Sequence, residues 1–184
     1  MSAAPRVRRI RADEAEALRA IRLRALADTP LAFGSTHARE AAYPPERWEK
    51  WARESVAAPG QAWFLALAHD DEAGAGAATD PDTDPRPVGL AFAVIDADDP
   101  ERAHLFSMWV APEARGTGAA RVLVDAVVAW TAAQGARTLH TAVTIGREAA
   151  ARLYARAGFV DTGRREPLGH SDAQTAMLER PLDP

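Results

Sequence analysis

Between Val110 and Arg121 the chain reads Val-Ala-Pro-Glu-Ala-Arg-Gly-Thr-Gly-Ala-Ala-Arg, placing two glycines and two arginines between an apolar run and an alanine-rich one. Glycines at such a junction let the backbone turn sharply and lie close to a ligand. The first N–H groups of a following helix have no intrahelical acceptor, and with the helix dipole they suit a phosphate or pyrophosphate. Arg115 and Arg121 are of the type that adds charge-assisted bonds to the same anion. Taken alone, Gly116-Thr117-Gly118 reads equally as a tight turn. It is not a P-loop, because the Lys-Ser/Thr ending is absent. Nor is it the dinucleotide fingerprint, since Arg121 stands where the third glycine belongs.

The elements that position this segment follow from periodicity. Met108, Trp109 and Val110 end a strand, Ala103–Val110, and Ala119–Ala133 forms a helix with Ala119, Val122, Leu123, Ala126, Trp130 and Ala133 on its buried stripe. Strand alternation sets His104, Phe106 and Met108 on one face and Leu105, Ser107 and Trp109 on the other. Upstream, Val7–Ile10 opens as a strand. A helix follows with Asp13 as N-cap and Leu18, Ile21, Ala25 and Leu26 as its stripe, ending near Asp28 because Pro30 disfavours helical geometry at Thr29. Residues 31–37 read as a loop, Pro44-Pro45 open a helix carrying Trp48 and Trp51, and Gln61–His69 and Pro87–Asp96 read as buried strands. Downstream come strand Arg137–Thr144, helix Glu148–Arg156 closed by Gly158 as C-cap, and strands Phe159–Arg164 and Gln174–Arg180. The pattern is a mixed α/β sheet of about seven strands with about four helices.

The 184 residues, 47% hydrophobic and 26% charged, form one domain spanning 1–184. The net charge of −4 disfavours a nucleic-acid coat. The absence of cysteine excludes disulfides, thiolate metal sites and a Cys nucleophile. No apolar run is long enough for a membrane span and no signal peptide is legible, so the cytoplasm is expected. The acidic, Gly- and Pro-containing run 70–86 reads as a long solvated, mobile hairpin loop, with a cation site as the other reading. His69, His140 and His170 stand too far apart to form a metal site, and none is expected.

Arg115-x-x-Gly118-x-Ala120 resembles the (Gln/Arg)-x-x-Gly-x-(Gly/Ala) motif of the GCN5-related N-acetyltransferase (GNAT) family. Ala150-x-x-Leu153-Tyr154-x-x-x-Gly158-Phe159 is similar to that family's second signature, in the family's order and spacing, and the resemblance covers about Leu90–Arg164. It implies acetyl-CoA as cosubstrate. The amides from Gly116 to Arg121 (through Thr117, Gly118, Ala119 and Ala120) would cradle its pyrophosphate, and Met108–Val110 would pair with the pantetheine arm. It also implies a splayed strand pair at the cleft, and Tyr154 as the acid that protonates the CoA thiolate, the other reading of Tyr154 being a packing aromatic.

Arg147 stands where the family usually has Asn, and meets a phosphate, an acidic substrate group or solvent. Ala142 stands where one subfamily has a glutamate base. His104 shares the strand parity of another subfamily's base, although the matching place itself is Arg102. A neutral imidazole is a reasonable base, and a structural His is the other reading; Glu101 and a water held by Ser107 are further candidates. The acceptor site is expected between Phe33 and Trp51, with Phe33, His37 and Trp48 as its lining and core packing as the alternative for Phe33 and a tryptophan. The resemblance implies transfer to a primary amine by direct attack in a ternary complex, with a small-molecule amine first, a protein or peptide amine second, and a non-catalytic acyl-CoA sensor third. Homodimerisation through the C-terminal strands or the Trp-bearing helix is left open by the residues.

Overall fold

A computed structural model describes residues 5–68 and 86–182; of the acidic run 70–86, only Arg86 falls within them. In chain order the elements are β1 (Arg6–Arg9), α1 (Ala15–Asp28), α2 (His37–Ala41), α3 (Pro45–Ala57), β2 (Gln61–Leu67), β3 (Pro87–Ile95), β4 (Arg102–Val110), α4 (Ala119–Ala133), β5 (Thr138–Thr144), α5 (Glu148–Arg156), β6 (Val160–Pro167) and β7 (Gln174–Pro181). The strands form one sheet in the order β1-β2-β3-β4-β5-β7-β6. Every neighbouring pair is antiparallel except β4 and β5, the one parallel junction. The expected mixed sheet of seven strands is therefore present, with one more helix than the sequence suggested. The addition is the short α2, which Thr36 caps by accepting the Arg39 N–H at 3.3 Å.

Local chemistry explains most boundaries and three departures. α1 buries Leu18, Ile21, Ala25 and Leu26 as its stripe requires, and ends at Asp28 before Pro30. Its cap position is Glu14 rather than Asp13. The Glu14 carboxylate turns back to accept the Arg11 N–H at 2.7 Å and to pair with Arg8, leaving Asp13 exposed.

α4 buries Ala119, Leu123, Val124, Val127 and Thr131, while Val122, Ala126 and Trp130 sit half-buried and Ala133 faces solvent. Leu123, which the expected and observed stripes share, packs against Gly89, where a Cβ would lie 3.0 Å from its Cδ1 and 3.1 Å from the Trp109 carbonyl. Thr131 is buried at no polar cost because its hydroxyl donates to the Val127 carbonyl at 2.9 Å.

The third departure lies in β4. Leu90 faces Trp109 and Phe92 faces Phe106, so β4 carries one residue more than β3 between those pairs. Ser107 takes φ +56° at this bulge, the one positive φ outside glycine among the described residues. A bulge bends the strand and re-aims its side chains. The simple alternation expected from His104 to Trp109 therefore breaks after Phe106, and Ser107 and Met108 both line the second of the two cavities described below.

Candidate active site

Beyond the bulge, β4 loses its neighbour. It pairs with β5 only at Arg102–Thr138, Ala103–Leu139 and His104–His140. One further link crosses the gap, from the Thr141 hydroxyl to the Leu105 carbonyl at 2.9 Å. From Ser107 to Val110 the two strands diverge, and a cavity of about 610 Å³ opens between Met108–Val110 and Ala142–Thr144.

The glycine turn closes one end of this cavity. Gly116 and Gly118 adopt φ +85° and +92°, and a Cβ on either would meet nothing within 4 Å, so glycine is needed here for backbone conformation rather than space. Among the described residues, the N–H groups of Gly116, Gly118, Ala119 and Ala120 find no acceptor in the chain. Gly118 is the N-cap of α4, and these donors sit at the helix's positive end. Free N–H groups at a helix N-terminus suit a phosphate or pyrophosphate, and beyond His104 the β5-facing edge of β4, from Met108 to Val110, has no strand paired to it. Gly118→Ala puts a side chain on a left-handed residue at about 1–2 kcal/mol, lowering Tm by about 2–8 °C. Melting curves with and without acetyl-CoA are expected to show that drop together with a smaller ligand-induced rise.

Tyr154 forms the cavity's inner wall, and the spacing around it has a physical explanation. α5 ends in a left-handed Gly158, φ +83°. Phe159 N–H bonds back to the Tyr154 carbonyl at 3.0 Å and Gly158 N–H to the Ala155 carbonyl at 3.1 Å. This is a Schellman ending, in which the residue after glycine packs on the one five positions before itself. The Phe159 ring accordingly meets Tyr154 edge-on at 5.3 Å. Burial pushes the Tyr154 phenol up to about 12, opposed only by a hydrogen bond with Thr141, so it remains a proton donor at any ordinary pH.

The arginines divide their roles. Arg115 borders the cavity, but its Nε donates to the Val110 carbonyl at 3.1 Å and its Nη2 pairs with Asp28. Asp28 also accepts the Trp109 indole N–H at 2.8 Å. Burial would raise the Asp28 carboxyl, yet the hydrogen bonds from Trp109 and Arg115 outweigh it and hold the group below the usual range. This clamp fixes the end of α1 to the end of β4. Arg121 chelates Asp125 at 2.8 and 2.9 Å and donates to the Arg156 carbonyl, and the Thr117 hydroxyl donates to the Ala114 carbonyl; neither residue lines the cavity. Arg147 does line it and has no side-chain partner among the described residues.

A second cavity of about 420 Å³ adjoins the first, sharing Ala32, Met108, Ala142, Thr144 and Tyr154 with it. Phe33 is on its wall, as expected, together with Arg22, Ser35, Ser107, Glu166 and Leu168. The Phe33 carbonyl accepts from His170 Nε2 at 2.6 Å, which ties the loop after α1 to the loop between β6 and β7. His37 and Trp48 are not on this wall. His37 is exposed at the start of α2. Trp48 is buried in the core, 5.1 Å from Trp51 and 6.1 Å from Tyr43. His104 borders neither cavity: its Nε2 lies 3.2 Å from Asp96 and its ring stacks on Phe106. The residues that sequence reasoning missed, Arg22, Ser35 and Glu166, come from three separate segments that only the fold brings together.

The sequence profile of the Acetyltransferase (GNAT) family matches residues 31–159, and the chain belongs to that family. Solved structures share its fold. A GNAT-family acetyltransferase from Streptococcus pneumoniae superposes with TM-score 0.78 at 18% identity, covering 97% of this chain and 99% of that one. Salmonella typhimurium yncA, solved with its cofactor acetyl-CoA, gives 0.73 at 16% identity over 99% and 96%. A phosphinothricin acetyltransferase from Sinorhizobium meliloti, in complex with AcCoA, gives 0.73 at 19% over 98% and 89%. No curated protein sequence matches the chain. Among the described residues no helix is long and apolar enough to cross a membrane, and no cluster of His, Asp and Glu has metal-site geometry.

Proposed function

We propose that the chain moves the acetyl group of acetyl-CoA to the primary amine of a small molecule by direct attack in a ternary complex. The observation that carries this reading is the junction of the two cavities at Tyr154 and Met108. A thioester lying along β4 and an amine in the second cavity then meet at one point. A volume of about 420 Å³ suits a small acceptor.

In this mechanism the free amine nitrogen attacks the thioester carbonyl carbon, the C–S bond breaks, and Tyr154 gives its proton to the departing thiolate. The Val110 N–H polarises the carbonyl oxygen as charge develops there. The amine's proton leaves to water at Ser107 or to Glu166, the one carboxylate on the second cavity's wall. His104, held by Asp96 outside both cavities, takes no part in this scheme. Gly116, Gly118, Ala119 and Ala120 hold the pyrophosphate through their N–H groups, with Arg147 adding the charge that Arg115 and Arg121 spend within the protein.

Arg147→Ala is expected to raise the KM for acetyl-CoA about tenfold with kcat nearly unchanged, the loss of one charge-assisted bond at a solvent-facing site. Release of CoA, followed with a thiol reagent against amines, amino acids, aminoglycosides and N-terminal peptides, tests the reading as a whole. Turnover confined to small amines supports it. Turnover confined to peptides replaces the small acceptor with a protein one, and tight acetyl-CoA binding without any turnover leaves a sensor.

A further inference from the structure

The second cavity holds two polar groups that the acetyl-transfer scheme leaves unused. Arg22, on α1, has a side chain only 7% exposed and gives Nε and Nη2 to the two oxygens of Glu40, at 2.9 and 2.7 Å. Its remaining nitrogen, Nη1, is closed off from solvent and has no hydrogen-bond partner. Ser35 Oγ is in the same condition. Both residues wall the one cavity, and the Phe33 ring lies 4.8 Å from the guanidinium carbon.

Buried donors are almost always paired, and these two are sealed from the water that would otherwise pair them. Glu40 cannot supply more, since each of its oxygens already accepts from Arg22 and it does not reach the cavity. The other titratable groups facing the space are Glu166, whose carboxylate pairs with Arg164 at 2.9 Å, and Tyr154. Arg22 is therefore the one cation on this wall. Much of the remaining lining is apolar, with Leu105, Leu168 and Met177, and such surroundings strengthen a charge-assisted bond.

We propose that the acceptor amine carries a carboxylate, as an amino acid does, and that Arg22 Nη1 and the Ser35 hydroxyl hold it. The inference rests on the acetyltransferase reading above and narrows its substrate class. Nη1 offers two N–H groups and Ser35 one O–H, a donor set that suits the two oxygens of a carboxylate. An amine bearing a second positive charge meets Arg22 instead and is disfavoured. A neutral analogue leaves the donors unpaired, and sites built on such pairing discriminate strongly.

The test compares three forms of the same side chain with the intact protein: the α-amino acid, its carboxamide and the decarboxylated amine, each assayed for CoA release and for amide product. The amino acid is expected to have a kcat/KM about a hundredfold above the other two, two hydrogen bonds to a charged group at about tenfold each. Arg22→Ala strands Glu40 and destabilises the fold, so the variant used is Ser35→Ala, which is expected to narrow the preference about tenfold, one hydrogen bond to a charged group. Equal rates across the three forms, or a preference for the decarboxylated amine, overturn the carboxylate subsite while leaving acetyl transfer intact. No amide from any form while another small amine is acetylated overturns the carboxylate subsite alone, and no amide from any amine, with acetyl-CoA bound, removes both readings.

Discussion

Tyr154→Phe lowers kcat by about 10²- to 10⁴-fold, the span a positioned general acid contributes, while the KM for acetyl-CoA changes little. The phenol is buried between the two cavities, and phenylalanine keeps the ring contact with Phe159 that the Schellman ending of α5 imposes. The variant thus removes the phenol's proton and its hydrogen bond with Thr141, which keeps its own bond to the Leu105 carbonyl. Because burial pushes the phenol up to about 12, wild-type kcat rises with pH as the acceptor amine loses its proton and then holds level, with no alkaline fall from Tyr154 through about pH 11. The same shift affects stability with a definite sign. The unfolded chain ionises its tyrosine near 10 and the folded one near 12, so stability falls across that interval, and Tyr154→Phe removes this part of the alkaline loss. Rate profiles and urea unfolding at several pH values check the two halves separately. A variant with unchanged turnover and profile removes Tyr154 from the chemistry.

Glu40→Ala is the largest expected loss of stability, about 3–5 kcal/mol, because it leaves the buried Arg22 guanidinium without its carboxylate. The two side chains are 7% and 4% exposed and joined by two short hydrogen bonds. Replacing both at once, Arg22→Met with Glu40→Leu, is expected to cost far less, since no charge is stranded. Urea midpoints of the two variants separate these cases. The double variant also loses the preference for a carboxylate-bearing acceptor, which ties the stability of this pair to the specificity of the cavity it borders.

The sequence was most informative where spacing and backbone conformation coincide. Gly116 and Gly118 mark positive φ at a strand-to-helix turn, and Leu-Tyr-x-x-x-Gly-Phe spells a helix ending that aims a tyrosine, so both motifs are local and both were legible. The strand-and-helix order was legible for the same reason, down to α1 ending at Asp28. What escaped depends on distant partners. The stripe of α4 shifts to Val124, Val127 and Thr131, a choice made by its packing on β1, β2, β3 and β4 rather than by its own periodicity. Trp48 looked like a pocket residue and is core because Tyr43 and Trp51 close around it. The bulge at Ser107 breaks an alternation that the residues alone support. The second cavity is the extreme case: Arg22, Ser35 and Glu166 share a wall only after the loop following α1 meets the β6–β7 loop through His170.

The central claim is that the acetyl group passes directly from thioester to amine where the two cavities meet. Initial rates measured over a matrix of acetyl-CoA and acceptor concentrations test it most directly. Reciprocal plots that intersect, with one CoA released for each amide formed, are the predicted result, because both substrates must be bound before the C–S bond breaks. Parallel lines, together with acetylated protein trapped in the absence of acceptor, would contradict direct transfer and place the acetyl group on the enzyme between two half-reactions.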